Sequence, residues 1–279
     1  GKTELIYFTF NYAGVLLMSV LAFLILPVAY HGFIYVTDDD TRKYSIYHSS
    51  LIALITFMTG AYLANNMTVL WIFVEATTLA VAALIYHDRT EIALEATWKY
   101  VFICSTGIAL AYLGILFLGF IYGRDDAASL SFEDLSGMIN RVNPLYLKIA
   151  FLFVLVGFST KMGLFPMHTV TIDAHSVAPP PISALISTTL MNVGFIAIFR
   201  VYTLFASSPI LGFMNNALIL SGVLSLLIAA GYMLKAKHIK RMLAYSSLEN
   251  MGLVAIALGI GGHAYYGALL LLVLHSLVK

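Results

Sequence analysis

Ionisable side chains set inside long apolar runs are the residues of this chain that could do chemistry. Lys161 stands near the end of one run, in FSTKMGLFPMH, and Glu75 lies well inside another, in WIFVEATTLAVAALIY. A lysine at the centre of a bilayer costs roughly 2.5–3.5 kcal/mol on insertion scales, so it is a functional-site candidate by default. Pro166, five residues on, removes a backbone donor and kinks or breaks the helix beside that lysine. A charge next to a broken membrane helix is how ion pathways are built. Glu75 is too far from either end of its run to snorkel to an interface. Lys99, Lys240, His275 and Lys279 also fall at or inside apolar runs. For Lys99 and Lys240 a structural alternative stays open, because lysines near helix ends commonly snorkel.

His168, Asp173 and His175 follow the proline and raise the question of a metal. Helical zinc sites favour i, i+4 pairs or short fixed spacings. A spacing of seven across a helix break, with no third ligand in register, assigns no metal. The single cysteine, Cys104, sits in an apolar run and reads as helix packing. No nucleotide-binding loop, nucleophile elbow or cysteine cluster is present.

The elements that must position these groups are membrane helices. Of 279 residues, 61% are hydrophobic and 10% charged, and mean hydropathy is +0.91. This places the chain outside the soluble globular class. A net charge of +1 gives no reason to expect nucleic acid as a partner. Nine apolar segments are predicted, at about 8–35, 46–64, 68–86, 98–122, 146–165, 181–205, 211–234, 242–261 and 264–279. Only Asn65 and Asn66 join the second to the third, as a tight hairpin. The chain opens on Gly1 and closes on Lys279 inside an apolar run. A single membrane domain over residues 1–279, truncated at both ends, is therefore expected. Gly1 to Tyr35 is too long for a signal peptide and lacks a cleavage-like end.

Lysine and arginine placement puts loop 235–241 (KAKHIKR) on the cytoplasmic side, with Arg42, Lys43 and Arg89. The longest loop, 123–148, carries Arg124, Arg141 and Lys148 and falls on the opposite side. Pro179, Pro180 and Pro181 prevent one helix from continuing and then favour a fresh start, since proline suits a first turn; they are read here as a rigid loop.

Three stretches carry a resemblance: KMGLFPMHTVTIDAHSVAPPPISALIS, KHIKRMLAYSSLENMG and the terminal HSLVK. Together they resemble the antiporter-like membrane subunits of respiratory complex I, energy-converting hydrogenases and multisubunit cation/proton antiporters. FVEATTLAVAALIYHDR with LEATWKYVFICSTGIALAYLGI is most similar to the F component of hydrogenase-4, which belongs to formate hydrogenlyase-type complexes. The resemblance covers nearly the whole chain. It implies an all-α polytopic bundle of fourteen helices, built on inverted five-helix repeats with one broken helix each. The nine segments would be the third to eleventh helices.

By the same resemblance, Glu75, Lys161, Lys240, His275 and Lys279 form a proton relay. Lys99, His168, Asp173, His175 and Ser187 are possible relay or gating positions. Two departures stand out. Val170, Thr171 and Ile172 replace a Trp-Leu-Pro run, and Ser187 stands where the eighth helix often carries a histidine. The charge on the twelfth helix would lie beyond residue 279. The implied setting is a bacterial or archaeal cytoplasmic membrane, with other membrane subunits and a peripheral redox module as partners. No cofactor is expected in this chain; nickel–iron and iron–sulfur centres would belong to those partners.

The chemistry expected of such a site is proton transfer by changing a lysine's surroundings. A nearby carboxylate favours the ammonium, whereas burial without one disfavours it. Moving one charge against 100 mV costs about 2.3 kcal/mol. A change of about two pKa units is worth roughly 2.7 kcal/mol, the right size to drive it. Two other classes compete: a subunit of a Na⁺/H⁺ antiporter with no redox partner, and a membrane scaffold that translocates nothing. Sodium dependence separates the first, and ion movement that survives substitution of the charges identifies the second.

Overall fold

The computed structural model describes residues 6–36, 41–122, 130–139 and 142–279. The apolar runs form helices α1 (Tyr12–Tyr35), α2 (Thr41–Leu63), α3 (Met67–Ile85), α4 (Glu91–Tyr122), α5 (Phe132–Met138) and α6 (Pro144–Met162). They continue as α7 (Thr169–Val177), α8 (Pro180–Leu185), α9 (Met191–Phe205), α10 (Leu211–Met233), α11 (Ile239–Ile260) and α12 (His263–Val278). In a bilayer the backbone must satisfy its own hydrogen bonds, which is why long apolar runs become helices. Local chemistry sets their ends. Asn11, Asn66 and Asn143 cap the first turns of α1, α3 and α6 with their side-chain oxygens, and Pro144 opens α6. Asn66 thereby makes the tight α2–α3 hairpin expected from the sequence. Pro180 and Pro181 likewise start α8 rather than lying in a rigid loop.

Among the described residues, eight spans are long and apolar enough to cross a membrane, and α12, at 16 residues, is a shorter apolar helix. The chain is a multi-pass, all-α membrane protein, with leucines and phenylalanines such as Leu79, Phe102, Leu220 and Leu227 exposed on its outside. Several details differ from expectation. The fourth segment starts at Glu91, not near residue 98, so Lys99 lies two turns inside α4. Residues 123–148 are not one loop: α5 forms within them, capped by Ser131, and Lys148 belongs to α6. Arg124 and Arg141 lie outside the described residues. Five residues, Ile186–Leu190, make a π-turn that joins α8 to α9.

Packing is closest where side chains are smallest. α4 lies along α6, and a Cβ at Gly157 would come within 2.6 Å of the Gly107 carbonyl oxygen and the Ala111 amide. Small residues at one interface let membrane helices approach backbone to backbone. The span Pro180–Phe205 is buried over most of its length. Within it, a Cβ at Gly194 would sit 2.7 Å from the Lys161 carbonyl carbon and closer still to the Met162 amide. Overpacking of this kind typically costs about 1–3 kcal/mol. Gly194→Ala is expected to lower the thermal unfolding midpoint of the solubilised protein, and an unchanged midpoint would contradict the approach. At the other end of α9, Arg200 is 7% exposed; it donates to the Ala64 carbonyl and lies 5.0 Å from the Phe132 ring centre. One guanidinium thus ties α9 to the α2–α3 turn and to α5.

Candidate functional site

Lys161 occupies the penultimate position of α6, where Gly163 ends the helix in a left-handed conformation (φ 77°). It is 2% exposed. Its Nζ donates to the Tyr100 hydroxyl at 3.0 Å and lies 5.0 Å from the centre of the same ring. Glu75 is half-buried in mid-α3. Its Oε1 accepts from the Ser105 hydroxyl at 2.7 Å, and its Oε2 accepts from Thr78 at 3.4 Å. The carboxylate and the lysine are thus each held by a hydroxyl of α4, Ser105 and Tyr100 respectively, and they are not in ion-pair contact. The close Gly107–Gly157 approach of α4 to α6 is what seats Tyr100 against the lysine.

The chain then departs from helix between Met162 and Thr169, with a cis Phe165–Pro166 peptide bond. Backbone groups freed at such a break need partners inside the protein. Two serines of α10 supply them: the Ser225 hydroxyl accepts from the Phe165 amide at 2.9 Å, and Ser221 donates to its carbonyl at 2.8 Å. Thr171 donates to the Thr160 carbonyl at 3.4 Å across the break.

A second group gathers beyond it. His175, Ser183, Ser187, Lys240, Ser247 and Lys279 line one cavity of about 180 Å³ between α7, α8, α11 and the end of α12. Lys240 donates to the Ala178 carbonyl at 3.1 Å, capping α7, and Lys279 donates to the Leu243 carbonyl at 3.1 Å. His175 is buried with its Nε2 unpartnered. His275, also buried, bonds through Nε2 to the Ser187 carbonyl at 3.1 Å. The neutral ring then keeps Nδ1 as an acceptor. The π-turn presents that carbonyl, and it presents a second at Thr189, which accepts from Tyr62 at 2.6 Å. α2 and α12 are both anchored on this one distorted turn. The Ser187 hydroxyl itself turns back to the Ala184 carbonyl at 3.2 Å.

Three expected positions lie apart. Lys99 is on the outer face of α4, paired at 2.6 Å with Glu95 one turn before it, and both side chains are at least half exposed. His168 packs its ring on Phe165 beside the break, with Nδ1 buried and unpartnered. Asp173 faces Arg241 at 3.5 Å, in a pair that is partly exposed on both sides. Pairs of that kind contribute at most about 1 kcal/mol. Asp173→Asn should therefore shift the unfolding free energy by less than about 1 kcal/mol, and a larger loss in a thermal melt would show a deeper role. Among the described residues no three His, Cys, Asp or Glu side chains gather as a metal-binding group.

Tyr100, Ser105, Ser221 and Ser225 were not singled out from the sequence. Tyr100 lies on a buried stripe of α4 with Ala93, Ala96, Cys104, Ile108 and Ala111, but the lipid-facing positions of that helix are apolar too, so the spacing did not mark it. The serines carried no signal either, because hydroxyls are common in membrane helices.

The fold and this site define a multi-pass helical membrane protein with ionisable groups set along its interior around a broken helix. The family model described as NADH:quinone oxidoreductase/Mrp antiporter, TM, matches residues 64–279, and the chain belongs to that family. It is 38% identical over 238 residues to the hydrogenase-4 component F homolog of Methylacidiphilum infernorum (isolate V4), covering 84% of this chain and 50% of that protein. It is 29% identical over 278 residues to NADH-quinone oxidoreductase subunit N of Desulforudis audaxviator (strain MP104C), covering 96% and 52%. Among solved structures, a chain of the membrane-bound sulfane sulfur reductase, an archaeal respiratory membrane complex, superposes with a TM-score of 0.89 at 25% identity, covering 97% and 54%. The chain spans about half the length of these relatives.

Proposed function

We propose that this chain is the proton-translocating membrane part of a redox-driven complex of the hydrogenase-4 type, with Glu75, Lys161, Lys240, His275 and Lys279 as the groups that pass the proton. One observation carries the reading: a lysine buried at a helix break and held by the Tyr100 hydroxyl of α4, while the Glu75 carboxylate, not ion-paired with it, is held by Ser105 of the same helix. A structural lysine needs neither a break nor such a carboxylate. The cavity is large enough for a few waters, and His175, Lys240 and Lys279 place polar groups on its otherwise mostly apolar wall, which suits a relay. Ser187 contributes its carbonyl to His275, and His168 stands at the break as a gating position.

In this reading the energy comes from partners, namely further membrane subunits and a peripheral module holding the nickel–iron or iron–sulfur centres. The 38% identity to a hydrogenase-4 component F homolog supports that choice. The membrane would be a bacterial or archaeal cytoplasmic membrane, with loop 235–241 on the cytoplasmic side. The test is gentle solubilisation of the native membrane, followed by identification of co-purifying subunits and of their nickel and iron. Nickel with iron–sulfur proteins is the expected result. Iron–sulfur proteins without nickel would move the assignment to a complex I-like module. Small membrane proteins without metal, and sodium-dependent transport, would overturn it in favour of a cation/proton antiporter.

A further inference from the structure

The side chain that holds Lys161 is a phenol, and the chemistry of that choice matters. A carboxylate can only accept hydrogen bonds, so it serves a lysine only while the lysine is an ammonium. A phenol both donates and accepts. Toward the ammonium, the Tyr100 oxygen accepts from Nζ, as the 3.0 Å contact shows. Once the proton has left for water or the next group, the same hydroxyl can turn its hydrogen to the lone pair of the free amine. Neither protonation state is left without a partner in a site where both side chains are 2% exposed. Ser105 engages Glu75 Oε1 at 2.7 Å, and the carboxylate makes no ion pair with the lysine.

We propose that Tyr100 is a positioning residue for proton release: its hydroxyl receives Lys161 when that lysine is parted from Glu75, and bonds it equally well with and without the proton. The inference rests on the relay reading above. α4 then serves both groups, presenting Tyr100 to the lysine and Ser105 to the carboxylate. Without the hydroxyl, a buried free amine loses its partner, and Lys161 falls back on the acceptor-only carboxylate that holds it charged.

The test is Tyr100→Phe in the full chain, within its native membrane. Phenylalanine keeps the ring, its packing and its contact with the ammonium, and removes only the oxygen. Three quantities are read in membrane vesicles: the amount of assembled complex, the initial rate of proton movement, and the ratio of that rate in H₂O to that in D₂O. Assembly is expected to be unchanged. The rate is expected to fall by roughly ten- to a hundredfold, as the loss of one buried hydrogen-bond partner implies. The isotope ratio should rise as proton release becomes limiting. Tyr100→His, whose neutral ring also donates and accepts, should recover much of the rate. A Phe variant at wild-type rate and isotope ratio overturns the proposal. If Phe fails to accumulate, His decides: wild-type movement supports the proposal, and slow movement or failure to accumulate overturns it by assigning Tyr100 to packing. Lys161→Met, measured alongside, separates the two readings. If it stops proton movement while Tyr100→Phe does not, only the role of Tyr100 falls; if it too leaves movement intact, the relay itself falls.

Discussion

Lys161→Met is expected to abolish coupled proton movement while leaving the protein as stable as before, or more so. The two halves of that expectation have separate causes. The lysine makes one side-chain hydrogen bond, to Tyr100, and pairs with no carboxylate among the described residues. Replacing a buried charge that has no ion-pair partner by an apolar side chain of similar length removes the cost of desolvating it, so stability should be unchanged or higher. Met reaches nearly as far as Lys and fills the same space at the end of α6. A relay that depends on a titrating group has nothing left to titrate. Proton uptake by inverted vesicles, read beside a thermal melt of the purified complex, checks both halves. Retained proton movement would remove Lys161 from the pathway. A large fall in melting temperature would show that the lysine holds the fold.

Glu75→Gln is the second large effect. The carboxylate oxygens accept two hydroxyl hydrogen bonds, from Ser105 and Thr78. A glutamine keeps one acceptor oxygen, enough for the shorter Ser105 contact, but its amide nitrogen cannot accept from Thr78. The cost to stability should stay near that of one weak hydrogen bond, about 1 kcal/mol. The charge is lost outright. With no negative partner on α3, nothing remains to favour the protonated lysine at the loading step, and proton movement should stop. A variant that assembles, melts within a few degrees of wild type and moves no protons is the expected result. One that moves protons at the normal rate would reduce Glu75 to a capping acceptor for Ser105.

Much of the fold was legible in the chain because spanning a bilayer is a local demand. Length and hydropathy along a run decide whether it can cross, and eight of the nine expected segments are long spans, with the ninth as the shorter α12. The Asn65–Asn66 turn and the interruption at the triple proline could be read because turn and proline chemistry act within a few residues; that Asn66, Pro144 and Pro180 begin helices came from the structure. The break after Lys161 was legible for the same reason. α5 was not, since seven residues in a polar connection carry too short a pattern to stand out.

The sequence by itself determined that this is a helical membrane protein, that Glu75 and Lys161 lie inside apolar helices, and that the chain breaks beside the lysine. Only the tertiary structure decided what those charges face. In a soluble helix the inward face is marked by apolar periodicity, but in lipid the outward face is apolar too, and the pattern vanishes. Lys99 and Tyr100 are neighbours in sequence, yet one pairs with Glu95 on the outside of α4 and the other holds Lys161 within. That assignment depends on the rotation of α4 about its axis. The rotation is fixed by backbone contact between Gly107 and Gly157, which are far apart in the chain. Cavity and π-turn have the same origin: His175, Lys240 and Lys279 share a space, and Tyr62 and His275 share a turn, only because helices distant in sequence pack side by side.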